Sequence, residues 1–276
     1  MTELAARREA FRRLHESGCF VLPNPWDVGS AHVLSQLGFK ALATTSSGFA
    51  LSRGLPDGPR GVSREQALAH FRELAEASGL PLNADFQNGY ADDPGGVAES
   101  VRLCVETGVA GLSIEDATGD PGRPLYELSL AVERIRAARE AIDGSGHDVL
   151  LTARAECHLV GWPQPLAESV RRLRAYAAAG ADVLYAPGPR DADAIREIVA
   201  AVAPRPVNVL VAAATGLSVS ELSGLGVRRI SLGSALARAA WTGFLHAART
   251  LSEDGSFAGL DGIVTLAELD ARFRSR

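Results

Sequence analysis

The chain is predicted to fold as an α/β protein of the (β/α)8 barrel type, on three observations. It is 276 residues long, about the length of one such barrel. Eight short aliphatic runs alternate with stretches of helical period, which predicts a parallel sheet with crossover helices. Several helical stretches end in glycine just before the next run, in SGLPLN, TGVAGLSI, AGADVLY and LGVRRISL. Glycine past a helix end takes the left-handed conformation at little cost, and a short turn then starts a buried strand. A doubly wound open sheet is the structural alternative.

In order, residues 1–17 read as a charged amphipathic helix, followed by a strand at 19–22 and another at 41–45. Helix 64–77 (REQALAHFRELAEA) leads to strand 81–85, helix 96–107 to strand 111–115, helix 129–142 to strand 149–154, and helix 166–179 to strand 183–186. The last strands are expected at 207–211 and 229–232, with a helical extension over 257–276. No composition break divides the chain, so residues 1–276 read as one domain.

Composition narrows the function. The net charge is −5 and the arginines are scattered among 33 acids, so no basic stripe is available to neutralise the phosphates of a nucleic acid. Lys40 is the only lysine, so a Schiff-base, pyridoxal or P-loop mechanism would have to use that residue. Cys19, Cys104 and Cys157 are too few and too widely spaced for a disulfide framework or a structural zinc site. No apolar run approaches the ~18 residues of a membrane span, and no leader pattern opens the chain, so a cytoplasmic protein without a membrane partner is expected.

In a barrel of this kind the active site lies at the C-terminal ends of the strands. The first strand runs into Asn24-Pro25-Trp26-Asp27 and the second into Thr44-Thr45-Ser46-Ser47-Gly48, a hydroxyl-rich turn suited to a carboxylate or phosphate. The third ends at Asp85 and the fourth at Glu115-Asp116, with Asp57 on the preceding loop. Such an oxygen-rich patch can hold Mg²⁺ or Mn²⁺, although Asp85 could instead cap a helix and Glu115 pair with Arg154. Arg154, at the end of the fifth strand, is a fork-shaped clamp for an anion or a partner in a structural ion pair. Asn208 lies on the seventh strand. Cys157 and His158 are adjacent, and neighbours on a strand point to opposite faces, so they cannot both face the pocket unless the strand has ended, which argues against a nucleophile–base dyad.

These residues together resemble the isocitrate lyase/phosphoenolpyruvate mutase superfamily over about residues 18–250. The resemblance rests on Asn24-Pro-Trp-Asp-x-Gly-Ser-Ala, the loop 44–48, Asp85-x-x-x-Gly89-Tyr90, Gly111-x-Ser-Ile-Glu115-Asp116 and Ala153-Arg154-x-Glu156. It implies a modified TIM barrel that binds Mg²⁺ (or Mn²⁺) and a small 2-oxo or 2-hydroxy carboxylate. By motif, Asp85 and Glu115 match metal-shell carboxylates, Asp57 a water-linked acid, Arg154 the clamp on the substrate anion, and Thr45, Ser46 and Ser47 the carboxylate-holding loop. It also implies a homo-oligomer, a dimer or tetramer in which the stretch 265–273 is a candidate for helix swapping.

The chain departs from the pattern in three places. Lyases of the superfamily carry a Lys-[Lys/Arg]-Cys-Gly-His loop after the fourth strand, where residues 116–125 here read DATGDPGRPL. Gln87 stands where a second carboxylate is usual, and Pro187-Gly188 replace a His or Glu. Tyr90, Asp120, Arg123, Tyr126 and His158 are the available substitutes for the missing acid. The expected catalytic residues are Arg154, Tyr90 and His158; the expected substrate-binding residues are Thr45, Ser46, Ser47, Arg154 and Asn208; the expected metal ligands are Asp85, Glu115 and Asp57. The expected function is Mg²⁺-dependent cleavage of a C–C bond through an enolpyruvate-like intermediate. The alternatives are P–C chemistry of the phosphonopyruvate mutase or hydrolase type and a catalytically degenerate metal- and carboxylate-binding protein.

Overall fold

The computed structural model describes residues 2–58, 61–214 and 216–274. Its sheet has eight parallel strands: β1 (Phe20–Leu22), β2 (Leu42–Ala43), β3 (Leu82–Asp85), β4 (Gly111–Glu115), β5 (Leu150–Arg154), β6 (Val183–Tyr185), β7 (Val207–Leu210) and β8 (Arg229–Ser231). They are ordered β1-β8-β7-β6-β5-β4-β3-β2. The Ala43 amide donates to the Pro23 carbonyl at 3.0 Å, which draws β2 to the end of β1 and leaves a nearly closed barrel. All eight expected strands are present. The largest trimming is at 41–45, where only Leu42–Ala43 keep strand pairing because Thr45 turns to cap a helix.

The helices are α1 (Glu3–Leu14), α2 (Val28–Gln36), α3 (Ser46–Ser52), α4 (Arg64–Ser78), α5 (Pro94–Val105), α6 (Leu128–Gly144), α7 (Pro165–Ala178), α8 (Ala192–Val202), α9 (Val219–Gly224), α10 (Ala235–Asp254) and α11 (Leu266–Arg274). Local sequence starts and stops them. In α4 the Ser63 hydroxyl accepts from Gln66 N while the Gln66 side chain accepts from Ser63 N, and Gly79 ends the helix at φ 65°. Its buried face, Ala67, His70, Phe71, Leu74 and Ala75, covers the outside of the barrel.

The N-terminal helix closes the bottom of the barrel. Phe11 is fully buried against Leu22, Ala41, Ala43, Ala110 and Leu150. Arg8 donates to the carbonyls of Val109 at 3.0 Å and Val105 at 2.9 Å, which binds α1 to the end of α5. At the other end of the chain the expected extension appears as a 3₁₀ turn, Ala258–Leu260, and then α11. The Gln36 side-chain amide on α2 donates to the Arg272 carbonyl, so α11 lies against α2. Only Ala237 of α10 is buried, and Trp241, Phe244 and Leu245 are exposed. Among the described residues no helix is long and apolar enough to cross a membrane.

Candidate active site at the barrel mouth

Parallel register puts the chemistry together. Asp85, Glu115 and Arg154 end the neighbouring strands β3, β4 and β5, with Glu115 directly opposite Arg154. Arg154 Nη1 donates to Asp85 Oδ1 at 2.7 Å and lies 3.2 Å from Glu115 Oε2, while Nε donates to Glu156 Oε1 at 2.9 Å. One guanidinium therefore serves three carboxylates. Burial alone would lower the Arg154 pKa, but Glu156, Glu115 and Asp85 hold it well above the usual arginine value.

Glu115 suffers the opposite balance. Burial pushes its carboxyl up to about 8; Arg154 opposes this, and Glu156 and Asp85 add to it. An acid whose folded pKa is raised contributes stability that is complete below its unfolded value and lost as pH rises through the folded one. The protein is thus expected to lose thermal stability between about pH 4.5 and pH 8, the window set by the usual and the raised value. Glu115→Gln should flatten that slope in melting curves taken across the window; an unchanged slope would assign it to other groups.

The hydroxyl run begins a helix instead of lying free. Thr45 caps α3 through Gly48 N, at 3.1 Å, and Thr44 Oγ1 accepts the Asp85 amide at 2.8 Å. Ser46, the first residue of α3, donates to Asp85 Oδ2 from both N (2.9 Å) and Oγ (2.8 Å). Asp85 therefore caps a helix, as the ion-pair and cap reading of the strand ends anticipates, but the helix is α3; α5 takes Asp93 as its cap. Asp57 stands exposed at the rim of the same cavity. Its carboxyl is pushed up by the protein around it and by Asp85, against a hydrogen bond from Ser47.

The cavity these groups enclose is about 200 Å³, bounded by Thr45, Ser46, Ser47, Asp57, Asp85 and Arg154 at the mouth and by Asn83, Asn208 and Arg229 below. Tyr185 forms a wall, its ring 5.1 Å from the Arg154 guanidinium. A wider groove of about 630 Å³ lies between α5 and α6, away from the strand ends; Arg102 there already pairs with Glu99 and Glu106.

Some expected site residues lie elsewhere. Tyr90 does not line the mouth cavity; it borders a small void behind Asp85 with His70 and Gln87, and burial raises its hydroxyl pKa. His158 is also outside the lining, because the chain turns after β5 through a bond from Leu159 N to Glu156 O at 2.9 Å. Leu159 faces the cavity, while His158 packs on Gly188. Cys157 is fully buried and burial pushes its thiol up to about 11, so no nucleophilic dyad forms. Asn208 lines the cavity floor with both ends of its amide engaged: it donates to Ser231 Oγ at 2.9 Å and accepts from Arg229 Nε at 2.8 Å.

The loop after β4 supplies no group to the cavity. Ala117 bridges to Leu125, and Asp120 and Arg123 hold the turn between them at the surface. Tyr126 points inward to Asn88 (3.0 Å) and Asp92. Asp116 is buried against Arg172 at 3.0 Å and Tyr176 at 2.5 Å. Glu156 and Tyr185 are the groups at the mouth whose importance the strand-end reading understates, and Arg229 is absent from it altogether.

The family model for phosphoenolpyruvate phosphomutase matches residues 11–252. The chain belongs to this family. Within the same superfamily, a crystal structure of a lyase/mutase from Burkholderia cenocepacia superposes with a TM-score of 0.95 at 46% identity, covering 99% of this chain and 98% of that one. The structure of oxaloacetate acetylhydrolase with its product oxalate gives a TM-score of 0.85 at 28% identity, over 98% and 94% of the two chains. An uncharacterized protein of Mycobacterium tuberculosis is 34% identical over 95% of each chain. Proteins similar to this chain over most of its length thus include a hydrolase and a 2,3-dimethylmalate lyase on one barrel.

Mg²⁺ is the ion that the resemblance to the superfamily implies for this site. The expected trio Asp85, Glu115 and Asp57 does not converge here as a three-ligand cage: among the described residues no group of three acidic, His or Cys side chains could hold a metal. The physical reason is Arg154, whose Nη1 stands between Asp85 and Glu115. The donors still suit a hard cation, since Mg²⁺ commonly takes one or two carboxylates and leaves its other positions to water and substrate. Asp85 and Glu115 already face one shared cationic nitrogen, and Gln87 Oε1 is a buried acceptor without a hydrogen-bond partner beside Asp85. The residues fit the ion with a smaller protein charge than three carboxylates would give.

Proposed function

We propose that the protein is a Mg²⁺-dependent (or Mn²⁺-dependent) lyase cleaving a C–C bond in a small 2-oxo or 2-hydroxy di- or tricarboxylate through an enolpyruvate-like intermediate. The observation that carries this reading is the single guanidinium of Arg154 held among Asp85, Glu115 and Glu156 at a polar cavity of small-acid size. A divalent ion held by Asp85, Glu115 and Asp57 would supply Lewis-acid stabilisation of charge developing on the substrate. Arg154 would turn Nη1 from Asp85 and Glu115 to a substrate carboxylate, with Nη2 as its parallel donor, while Glu156 keeps hold of Nε and so fixes the plane of the fork. The first turn of α3 orients the other end of the acid.

The absence from the cavity of Asp120, Arg123 and Tyr126 favours a second reading, a binding protein that keeps the metal–carboxylate pocket without turnover. One panel separates the two. Oxaloacetate-, malate- and methylisocitrate-like acids are incubated with the protein in Mg²⁺ and in chelator and followed by proton NMR. Cleavage of one acid in Mg²⁺ alone is expected. Thermal stabilisation by oxalate plus Mg²⁺ with no turnover of any acid would favour the binding protein, and conversion of phosphonopyruvate seen by ³¹P NMR would favour P–C chemistry. The exposed Trp241, Phe244 and Leu245 on α10 support a homo-oligomer, which sedimentation would show as a mass of two or four chains.

A further inference from the structure

The interior of a (β/α)8 barrel is ordinarily filled by branched aliphatic side chains. Below the mouth of this one the inward positions are instead polar: Asn83, Ser113, Thr152, Asn208, Arg229 and Ser231, all buried. They surround a single charge. Arg229 opens β8 and is 2% exposed. Its Nε donates to Asn208 Oδ1 at 2.8 Å and its Nη2 to Thr152 Oγ1 at 3.0 Å, whereas Nη1 has only long contacts, 3.4 Å to His15 Nε2 and 3.5 Å to Asn83 Oδ1. His15 Nδ1 lies 2.8 Å from the Phe11 carbonyl and must be the protonated nitrogen, so Nε2 offers a lone pair to Arg229. Every one of these partners is neutral.

Of the other buried arginines, two have carboxylate partners and two grip backbone carbonyls. Arg154 has three carboxylates, Arg172 has Asp116 and Glu168, Arg134 grips the carbonyls of Asn88, Ala91 and Asp92, and Arg8 takes two carbonyls at the end of α5. Among the described residues no carboxylate pairs with Arg229. Burial accordingly pulls its pKa down to about 9, opposed only by Tyr185. A buried guanidinium without a counter-charge is costly, and an anion seated beside it would offset that cost. Arg229 borders the same cavity as Arg154 and Ser46.

We propose that the floor of the cavity is a second anion subsite, in which Arg229 takes a small anion that Arg154 does not reach. Thr152, the Arg229 partner, precedes Arg154 by two residues on β5 and shares its face, so Arg229 is anchored one pleat repeat, roughly 6.6 Å of strand, below the Cα that carries the upper cation. Two cations at successive levels of one cavity suit the two ends of a four-carbon diacid, an arm that rests on the proposed function. A free inorganic anion such as chloride presents the same chemistry without it.

The test uses the whole chain and the variants Arg229→Gln and Arg229→Lys in a zwitterionic buffer without small anions, to which chloride, succinate, butyrate or oxalate plus Mg²⁺ is added. Arg229→Gln should melt at or above the parent in the anion-free buffer and below it once the recognised anion is present. Its affinity for that anion should fall by about ten-fold or more, while Arg229→Lys keeps most of it. Oxalate with Mg²⁺, which the mouth residues hold, should bind both variants nearly as well as the parent. A preference for succinate over butyrate that vanishes in Arg229→Gln identifies the substrate carboxylate as the anion; a chloride response that vanishes identifies the inorganic ion. The proposal is overturned if Arg229→Gln melts lower in every buffer, or if the parent neither responds to chloride nor prefers succinate to butyrate. The parent and Arg229→Lys decide this alone should Arg229→Gln not fold. Failure of oxalate and Mg²⁺ to bind the parent, with the Arg229 response intact, would remove the proposed function and leave the subsite standing.

Discussion

Asp85→Ala is expected to reduce kcat/KM by about 10³-fold or more while leaving the protein at least as stable as the parent at neutral pH. The two effects part because Asp85 is one of three carboxylates crowded around a single guanidinium. Its charge raises the pKa of Asp57, Glu115 and Glu156, which is to say that it makes their ionised forms less favourable in the folded protein. Its removal leaves Arg154 with Glu115 and Glu156, and the bond from the residue 85 amide to Thr44 Oγ1 stays in place. What is lost is functional: the acceptor of the two Ser46 bonds that orient the start of α3 and the carboxylate best placed for a divalent ion. Denaturant titration and turnover on the same preparation check the prediction. Loss of stability in step with activity would make Asp85 a structural cap for α3; activity that persists in chelator would remove the metal from the reaction. Sites that trade stability for function commonly behave in this way.

The fold was legible because its signals are local and repeated. Each βα unit carries its own aliphatic run and its own helix stop, as at Gly79 after α4, and parallel register then places Asp85, Glu115 and Arg154 side by side without further information. The metal-pocket reading and the ion-pair reading of the same acids were equally legible, and what separates them is where the Arg154 side chain turns, which no spacing encodes. His158 was misplaced for a related reason. Strand alternation orients it only while the strand lasts, and β5 ends at Arg154, after which a turn brings Leu159 to the cavity. Arg229 had a readable signal in Arg228-Arg229-Ile230 at the start of the last strand, since alternation must send one of two adjacent arginines into the barrel. Its neutral surroundings come from five other elements, with His15 contributed by the chain end of α1 more than two hundred residues away, and no local pattern brings them together.

Arg154→Met is the converse experiment, with an expected loss of both activity and stability. Removing the guanidinium leaves Asp85, Glu115 and Glu156 facing one another in a buried site, and breaking a buried ion pair from one side costs about 3–5 kcal/mol. The sign with pH follows from the directions already seen. Burial raises both Glu115 and Glu156, and Arg154 is the largest influence lowering them, so without it their folded pKa values rise further. Stability that depends on raised acids is whole below their unfolded values and lost as pH climbs through the folded ones. Arg154→Met should therefore melt close to the parent near pH 4.5, where the carboxyls take up protons, and far below it at pH 8. Arg154→Lys separates charge from shape. An ammonium restores the positive charge, and with it most of the stability at pH 8, but it cannot hold Glu156 with one nitrogen while presenting two parallel donors to a substrate carboxylate. A lysine variant that recovers turnover along with stability would show that Arg154 serves the site only as a counter-charge; recovery of stability alone would assign it the binding of the substrate anion.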